Sequence, residues 1–268
     1  MAIEIAYTQH CGNNPSQQDA LWTGVRVIQE KILAPERRTA GATERIDVAV
    51  ADGVASSPFP QMASRRILEL LSMELEGETT FDGRLLRRMH GYLCDSMAKG
   101  KTFGTSTTIV AARYYQDQCT ILSAGDSRAY HLTADGGLRQ LSRDHTVLNA
   151  MIDRGEAVAG KEYASIYNML DSCLIADDEE TDFAIHRSES SLLPGESLLL
   201  CTDGVHDVLS DRRLLSCMNP QLEALEQITA LRNAVLAASA PDNFSMLMIK
   251  RRHLMQLSPH ATENSRTI

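Results

Sequence analysis

The stretch QMASRRILELLSMELE (61–76), GRLLRRMHGYLCDSMA (83–98), TSTTIVAARYY (105–115), CTILSA (119–124) and SRAYHL (127–132) decides the fold class. In its first part, apolar residues recur every three or four positions, as at Ile67, Leu68, Leu71 and Leu75. That spacing lays one stripe along an amphipathic helix. In its second part the runs are short, rich in β-branched and apolar residues, and bounded by Gly or Asp, which is the pattern of strands. Two helices in succession followed by a meander of strands fit an α+β domain better than a parallel sheet built from alternating β-α units. Packed antiparallel sheets with helices outside are the predicted architecture.

Further strands are expected at 3–8, 46–51, 183–187, 197–202 and 244–250, and a further helix at 221–238. Asp144 precedes a short apolar-periodic run and is expected to cap a helix from His145 to Arg154, ended by Gly155. Residues 157–182 are polar, carry the acidic run Asp177-Asp178-Glu179-Glu180 and lack periodicity, so they are expected to form a surface excursion or flap. The expected organisation is one domain over residues 1–251 and a polar, flexible tail over 252–268.

With 268 residues, 43% hydrophobic and 23% charged, the chain can bury one sizeable core. A net charge of -9 argues against nucleic acid as a partner, because phosphate backbones draw on excess Lys and Arg. The six cysteines are scattered, with no close pair to clasp zinc, and are expected to be reduced thiols. No Cys-x5-Arg loop of the cysteine phosphatases occurs. Met1 to Ile5 show no signal peptide, and no apolar run approaches the roughly 18 residues of a membrane helix, so a cytoplasmic protein without a membrane partner is expected.

The chemistry concentrates where strands end. Asp47-Val-Ala-Val-Ala-Asp52-Gly53, Ile121-Leu-Ser-Ala-Gly125-Asp126 and Leu198-Leu-Leu-Cys-Thr-Asp203-Gly204 each close on an acidic residue beside glycine. Carboxylates at strand ends sit on the rim of a sheet, where several can aim at one point, and glycine lets an ion approach the backbone. Asp19 and Asp242 lie at comparable points, just before apolar runs. A lone Asp-Gly is an ordinary turn, but several in one chain are better explained together. Converging carboxylates repel, and a hard divalent cation bound through oxygen, Mg²⁺ or Mn²⁺, is the natural counter-charge.

Taken in order, Gln17-Gln-Asp19-Ala, Val50-Ala-Asp52-Gly53-Val, Gly104-Thr-Ser-Thr-Thr-Ile-Val, Ala124-Gly-Asp126-Ser-Arg128-Ala-Tyr, Arg143-Asp144-His145-Thr-Val-Leu, Leu200-Cys-Thr-Asp203-Gly204-Val and Asp242-Asn243-Phe-Ser resemble the metal-dependent protein phosphatases of type 2C. Each fragment is weak alone, and their order across nearly the whole chain is highly specific. The resemblance implies a four-layer α-β-β-α fold, a central antiparallel β-sandwich flanked by helices, with a binuclear Mn²⁺ or Mg²⁺ centre at one edge. It implies that Asp52 bridges both ions, that Gly53 offers its carbonyl, that Asp203 and Asp242 complete one shell, and that Asp19 acts nearby through water. In bacterial members a third, weaker ion is associated with the residue corresponding to Asp126 and with the Asp203 region. Asp52 and Asp203 then serve catalysis through a metal-activated water, with cations about 3.5–4 Å apart. The implied substrates are phosphoserine and phosphothreonine on proteins, in a bacterial stand-alone enzyme opposing a Ser/Thr kinase.

The chain also departs from the family. Many members carry a phosphate-gripping arginine where Asn14 stands, and no Arg or Lys lies between Met1 and Asp19, so the substrate-binding residues are unassigned. Val54 occupies the position of a histidine in eukaryotic members, Ala55-Ser56 replaces a glycine pair, and Gln18 stands where some have a glutamate ligand. His145 and His206 are expected to order loops rather than shuttle protons. Arg128 is expected to pair with a buried carboxylate. A catalytically silent phosphatase-like binding protein and a small-molecule phosphoesterase are the alternative readings.

Overall fold

The computed structural model describes residues 2–77, 80–179 and 182–252. The chain opens with β1 (Ala2–His10), β2 (Asp19–Trp22), β3 (Val27–Ile28), β4 (Ile32–Gly41) and β5 (Ile46–Asp52), followed by helices α1 (Pro60–Glu74) and α2 (Gly83–Met97). Then come β6 (Ser106–Thr107), β7 (Ile109–Tyr115), β8 (Gln118–Ala124), β9 (Arg128–Leu132), β10 (Leu138–Gln140), α3 (Val147–Asp153) and β11 (Leu174–Ile175). The last part holds β12 (His186–Ser191), β13 (Ser197–Cys201), the short α4 (Asp203–His206), α5 (Asp211–Cys217), α6 (Ala224–Ala237) and β14 (Phe244–Arg251).

Two 6-stranded sheets result, ordered β10-β9-β13-β14-β1-β4 and β12-β8-β7-β5-β2-β3, beside a 2-stranded β11-β6 pair. The pairings are antiparallel. Period-two alternation sorts the side chains into layers. In β5, Val48 and Val50 face the other sheet and share a core with Leu21 and Val110 of their own sheet and with Leu198 and Leu247 of the other. Ala49 and Ala51 face the helices, and their small size lets Leu71, Met89 and Leu93 approach. On the far side, Met246 and Met248 of β14 pack with Ile228, Leu231 and Val235 of α6. The order helix, sheet, sheet, helix is the four-layer α+β arrangement expected.

Helix ends are held by named groups. Proline opens α1, and Asp82 caps α2 by accepting the Arg84 amide at 2.9 Å. The start of α6 rests on Glu4, a fully buried carboxylate on β1 that accepts from the Ala224 and Leu225 amides at 3.2 and 3.4 Å. A buried anion there satisfies donors that no helical turn can.

Several boundaries differ from expectation. The 105–115 strand is broken at Thr108, whose hydroxyl accepts the Asp52 amide at 3.1 Å instead of extending one ladder. The 183–187 strand lies at His186–Ser191, and Phe183 sits in the helix-facing core. β4 was not expected, because its Pro35, Glu36, Arg37 and Arg38 mask any apolar alternation, as suits an edge strand. The helix assigned to 145–154 begins at Val147 and is capped by Thr146, whose hydroxyl accepts from Asn149. Asp144 does not cap it, because Arg128 has taken its carboxylate. Of the tail assigned to 252–268, residues 253–268 lie outside the described residues. Among the described residues no helix is long and apolar enough to cross a membrane.

Candidate metal centre

Antiparallel pairing explains why distant carboxylates meet, since a strand begins beside the point where its neighbour ends. Asp52 closes β5 and Asp19 opens β2, and the two are direct partners across the pair. Asp203 follows β13 and opens α4, while Asp242 precedes β14, the strand paired with β13. Gly125 follows β8 with a φ of 100°, turning the chain so that Asp126 faces the same edge. A cavity of about 190 Å³ opens there, lined by Asp52, Gly53, Asp126, Asp203 and Asp242 together with Gln18, Val54, Ala55 and Thr108. Asn168, Met169 and Leu170 from the 157–182 excursion form its remaining wall. That excursion is tied down by the β11-β6 pair and by a hydrogen bond from the Val147 amide to the Met169 carbonyl at 2.9 Å.

Asp19 does not line the cavity. It is fully buried behind Asp52, its Oδ2 accepting from the Thr202 and Ser245 hydroxyls at 2.9 Å each. Asp52 lies within hydrogen-bonding reach of both Asp19 and Asp203, a contact that ionised carboxylates make only around a shared proton or cation. Burial, then the Asp203 charge, pushes Asp19 and Asp126 up to about 7. Burial with Asp203 and Asp19 raises Asp52 well above the carboxylate range, and burial with Asp242 raises Asp203.

The donor set fits a hard cation. Oδ1 of Asp19 and Oδ1 of Asp203 are buried without a hydrogen-bond donor. Gly53 is held against Pro60, where a Cβ would lie 2.3 Å from the Pro60 carbonyl oxygen, so the backbone itself forms the wall. Among the described residues, no three His, Cys, Asp or Glu side chains already form a closed cage. No residue lining the cavity is basic.

The flanking motif residues do structural work. Arg128 grips Asp144 through Nε at 3.0 and 2.9 Å and through Nη2 at 2.6 Å. His145 Nδ1 accepts the Gly125 amide at 3.0 Å, and His206 Nε2 lies 3.2 Å from the Asp126 carbonyl oxygen, so both order the Asp126 turn. Asn14 donates to Asp242 Oδ1 at 2.6 Å. Sequence reasoning did not find this contact or the wall made by Asn168–Leu170, because both join loops with no local pattern.

A family model described as Protein phosphatase 2C matches residues 37–238. The chain belongs to the protein phosphatase 2C family. This protein phosphatase 2C chain is 28% identical over 153 residues to serine/threonine phosphatase stp of Listeria welshimeri, an alignment covering 57% of this chain and 59% of that relative. It therefore spans less than two thirds of the relative's length. The crystal structure of the Mycobacterium tuberculosis serine/threonine phosphatase PstP/Ppp superposes with a TM-score of 0.75 at 20% identity, covering 94% of this chain and 100% of that one. The catalytic domain of PstP in complex with two manganese ions superposes with a TM-score of 0.70 at 20% identity, covering 94% and 100%. At those identities the structural likeness is one of fold.

Proposed function

We propose that this protein phosphatase 2C chain hydrolyses phosphoserine and phosphothreonine monoesters on proteins, with Mn²⁺ or Mg²⁺ held by Asp52, the Gly53 carbonyl, Asp203 and Asp242, and a further ion near Asp126. The observation that carries this reading is the convergence of Asp52, Asp126, Asp203 and Asp242 on one cavity, with Oδ1 of Asp203 buried there without a donor. The two manganese ions in the PstP catalytic domain support it. The finer reading is a single domain over 1–251 that works in the cytoplasm against a Ser/Thr kinase. β1 and β14, from its two ends, pair as interior strands of one sheet, which supports that extent.

Bound divalent cations supply positive charge that acidifies a water and neutralises phosphoryl oxygens. The chain's own groups do the positioning. Asp19, fixed by Thr202 and Ser245, sets the rear of Asp52, and the Val54 amide donates to the Ser106 carbonyl at 3.0 Å, fixing the peptide whose Gly53 carbonyl is offered. Asn168, Met169 and Leu170 wall one side of the cavity. Thr108 shares its hydroxyl with Ser127 at 2.7 Å and the Asp52 amide, so it is occupied as an acceptor and is not a free nucleophile. No basic side chain lines the cavity, so the chain offers the substrate's negative charge no cationic side chain of its own there.

Purified protein assayed on a phosphothreonine peptide and on p-nitrophenyl phosphate, with Mn²⁺, Mg²⁺ or EDTA, tests the reading. Metal-dependent release of phosphate, abolished by Asp52→Asn and by Asp203→Asn, is expected. The absence of a basic residue in the cavity favours a second reading, a catalytically silent phosphatase-like binding or regulatory protein, which Mn²⁺ binding without turnover of either substrate would support instead. Turnover confined to small phosphoesters would make it a small-molecule phosphoesterase.

A further inference from the structure

Among the acidic residues around the cavity, Asp242 is set apart by its place. Asp52 and Asp203 are half-buried, whereas Asp242 is exposed on the loop before β14. An exposed carboxylate is free to rotate, and what restrains this one comes from two donors. Asn14 Nδ2 reaches Asp242 Oδ1 at 2.6 Å, and the Asn243 amide reaches the same oxygen at 2.7 Å. Both bonds fall on Oδ1, which leaves Oδ2 as the oxygen available to an ion.

Asn14 is itself held in place. Its amide donates to the Cys11 carbonyl at 3.0 Å, and its neighbour Asn13 clamps the facing loop through bonds to the Ala240 and Ser239 carbonyls, each 3.0 Å. Asn243 closes the clamp from the other side, donating to the Cys11 and Ser16 carbonyls at 2.7 and 3.1 Å. Gly12, with a φ of 57°, packs so tightly that a Cβ would lie 2.1 Å from the Asp242 carbonyl oxygen. Loops 11–18 and 239–243 are thus knit into one wall of the cavity.

We infer that Asn14 is a positioning residue that fixes the Asp242 carboxylate for a divalent cation. A neutral amide suits the task, because it orients the carboxylate by a hydrogen bond without bringing a positive charge to compete with the ion. The inference rests on the reading of Asp242 as a metal ligand.

The test is calorimetric titration of Mn²⁺ alone into the ion-free full chain, for wild type, Asn14→Leu, Asn14→Gln, Asp242→Ala and the Asn14→Leu/Asp242→Ala double variant. Asn14→Leu keeps the shape and removes the donor, and it is expected to weaken Mn²⁺ binding about 10–100-fold. Asn14→Gln, which keeps a donor, restores most of the affinity, and the double variant binds no more weakly than Asp242→Ala. Wild-type affinity in Asn14→Leu beside weakened binding in Asp242→Ala overturns the role of Asn14 and leaves the ligand reading standing. A further loss on adding Asn14→Leu to Asp242→Ala overturns it too, since Asn14 would then act elsewhere. Unchanged binding in Asp242→Ala removes the ligand reading and this inference with it. Melting of the ion-free variants reports on folding, and if Asn14→Leu does not fold, Asn14→Ser, too short to reach Asp242, takes its place.

Discussion

Asp19 and Asp52 stand in register across the β2–β5 pair, one sealed in the core and the other on the cavity wall. Their separation is set by backbone hydrogen bonding, so neither can withdraw from the other without breaking the ladder. The protein keeps two mutually repelling carboxylates at a spacing the sheet dictates, and the repulsion is a stability cost whenever no cation is bound.

Asp19→Asn should therefore stabilise the ion-free protein. The amide oxygen can still accept from Thr202 and Ser245, and the amide nitrogen can donate to Asp52. The melting temperature should rise by about 2–4 °C for each kcal/mol of repulsion relieved. In saturating Mn²⁺ the ranking should reverse, because the variant offers less charge to the ions. Calorimetric melts with EDTA and with Mn²⁺ measure both, and a lower melting temperature in EDTA would remove the repulsion argument.

Arg128 and Asp144 form a second, oppositely signed pair at 24% and 11% side-chain exposure. Removing the arginine alone leaves a largely buried carboxylate without its partner, and Gln140 at 2.8 Å is too weak a replacement. Arg128→Met should cost about 3–5 kcal/mol in urea unfolding, and much of that should return in Arg128→Met/Asp144→Leu. A loss below about 1 kcal/mol would show that solvent already screens the pair.

Two glycines make opposite predictions. A Cβ at Gly204 would lie 1.9 Å from the Asn243 carbonyl oxygen, where α4 packs on the start of β14. Gly204→Ala should cost about 3 kcal/mol or more, since backbone must move. Gly91, on the exposed face of α2, has nothing within 4 Å of such an atom. Gly91→Ala should stabilise by about 1 kcal/mol through helix propensity. Equal effects at the two sites in thermal melts would refute the steric account.

His145 supplies a pH dependence. Burial, then the neighbouring His186 and Arg143, lowers its pKa below 6.5, against the opposing pull of Asp144 and Asp171. Folding thus favours the neutral ring, whose Nδ1 accepts the Gly125 amide. A lowered histidine pKa contributes stability that is present above the unfolded value and is lost as pH falls through the folded one. As pH falls below about 6.5 the wild type should lose stability relative to His145→Asn, which offers a similarly placed, non-titrating acceptor. Parallel pH profiles for the two proteins would rule the device out.

What the chain order alone determined is what local chemistry writes: the helical stripe of Ile67, Leu68 and Leu71, the alternation of Val48 and Val50 with Ala49 and Ala51, and the Asp-Gly stops at Asp52 and Asp203. Those patterns were enough for the layered α+β fold and for the acidic residues that gather at one edge. β4 was hidden because an edge strand need not alternate. The helix after Asp144 was misplaced because a capping carboxylate and an ion-pairing carboxylate look the same until the position of Arg128 is known. Only the tertiary structure decided that Asp19 lies behind Asp52 rather than beside the cavity, and that Asn14 hydrogen-bonds Asp242. Both follow from antiparallel register, which sets residues tens or hundreds of positions apart at hydrogen-bonding distance and leaves no trace in the spacing along the chain.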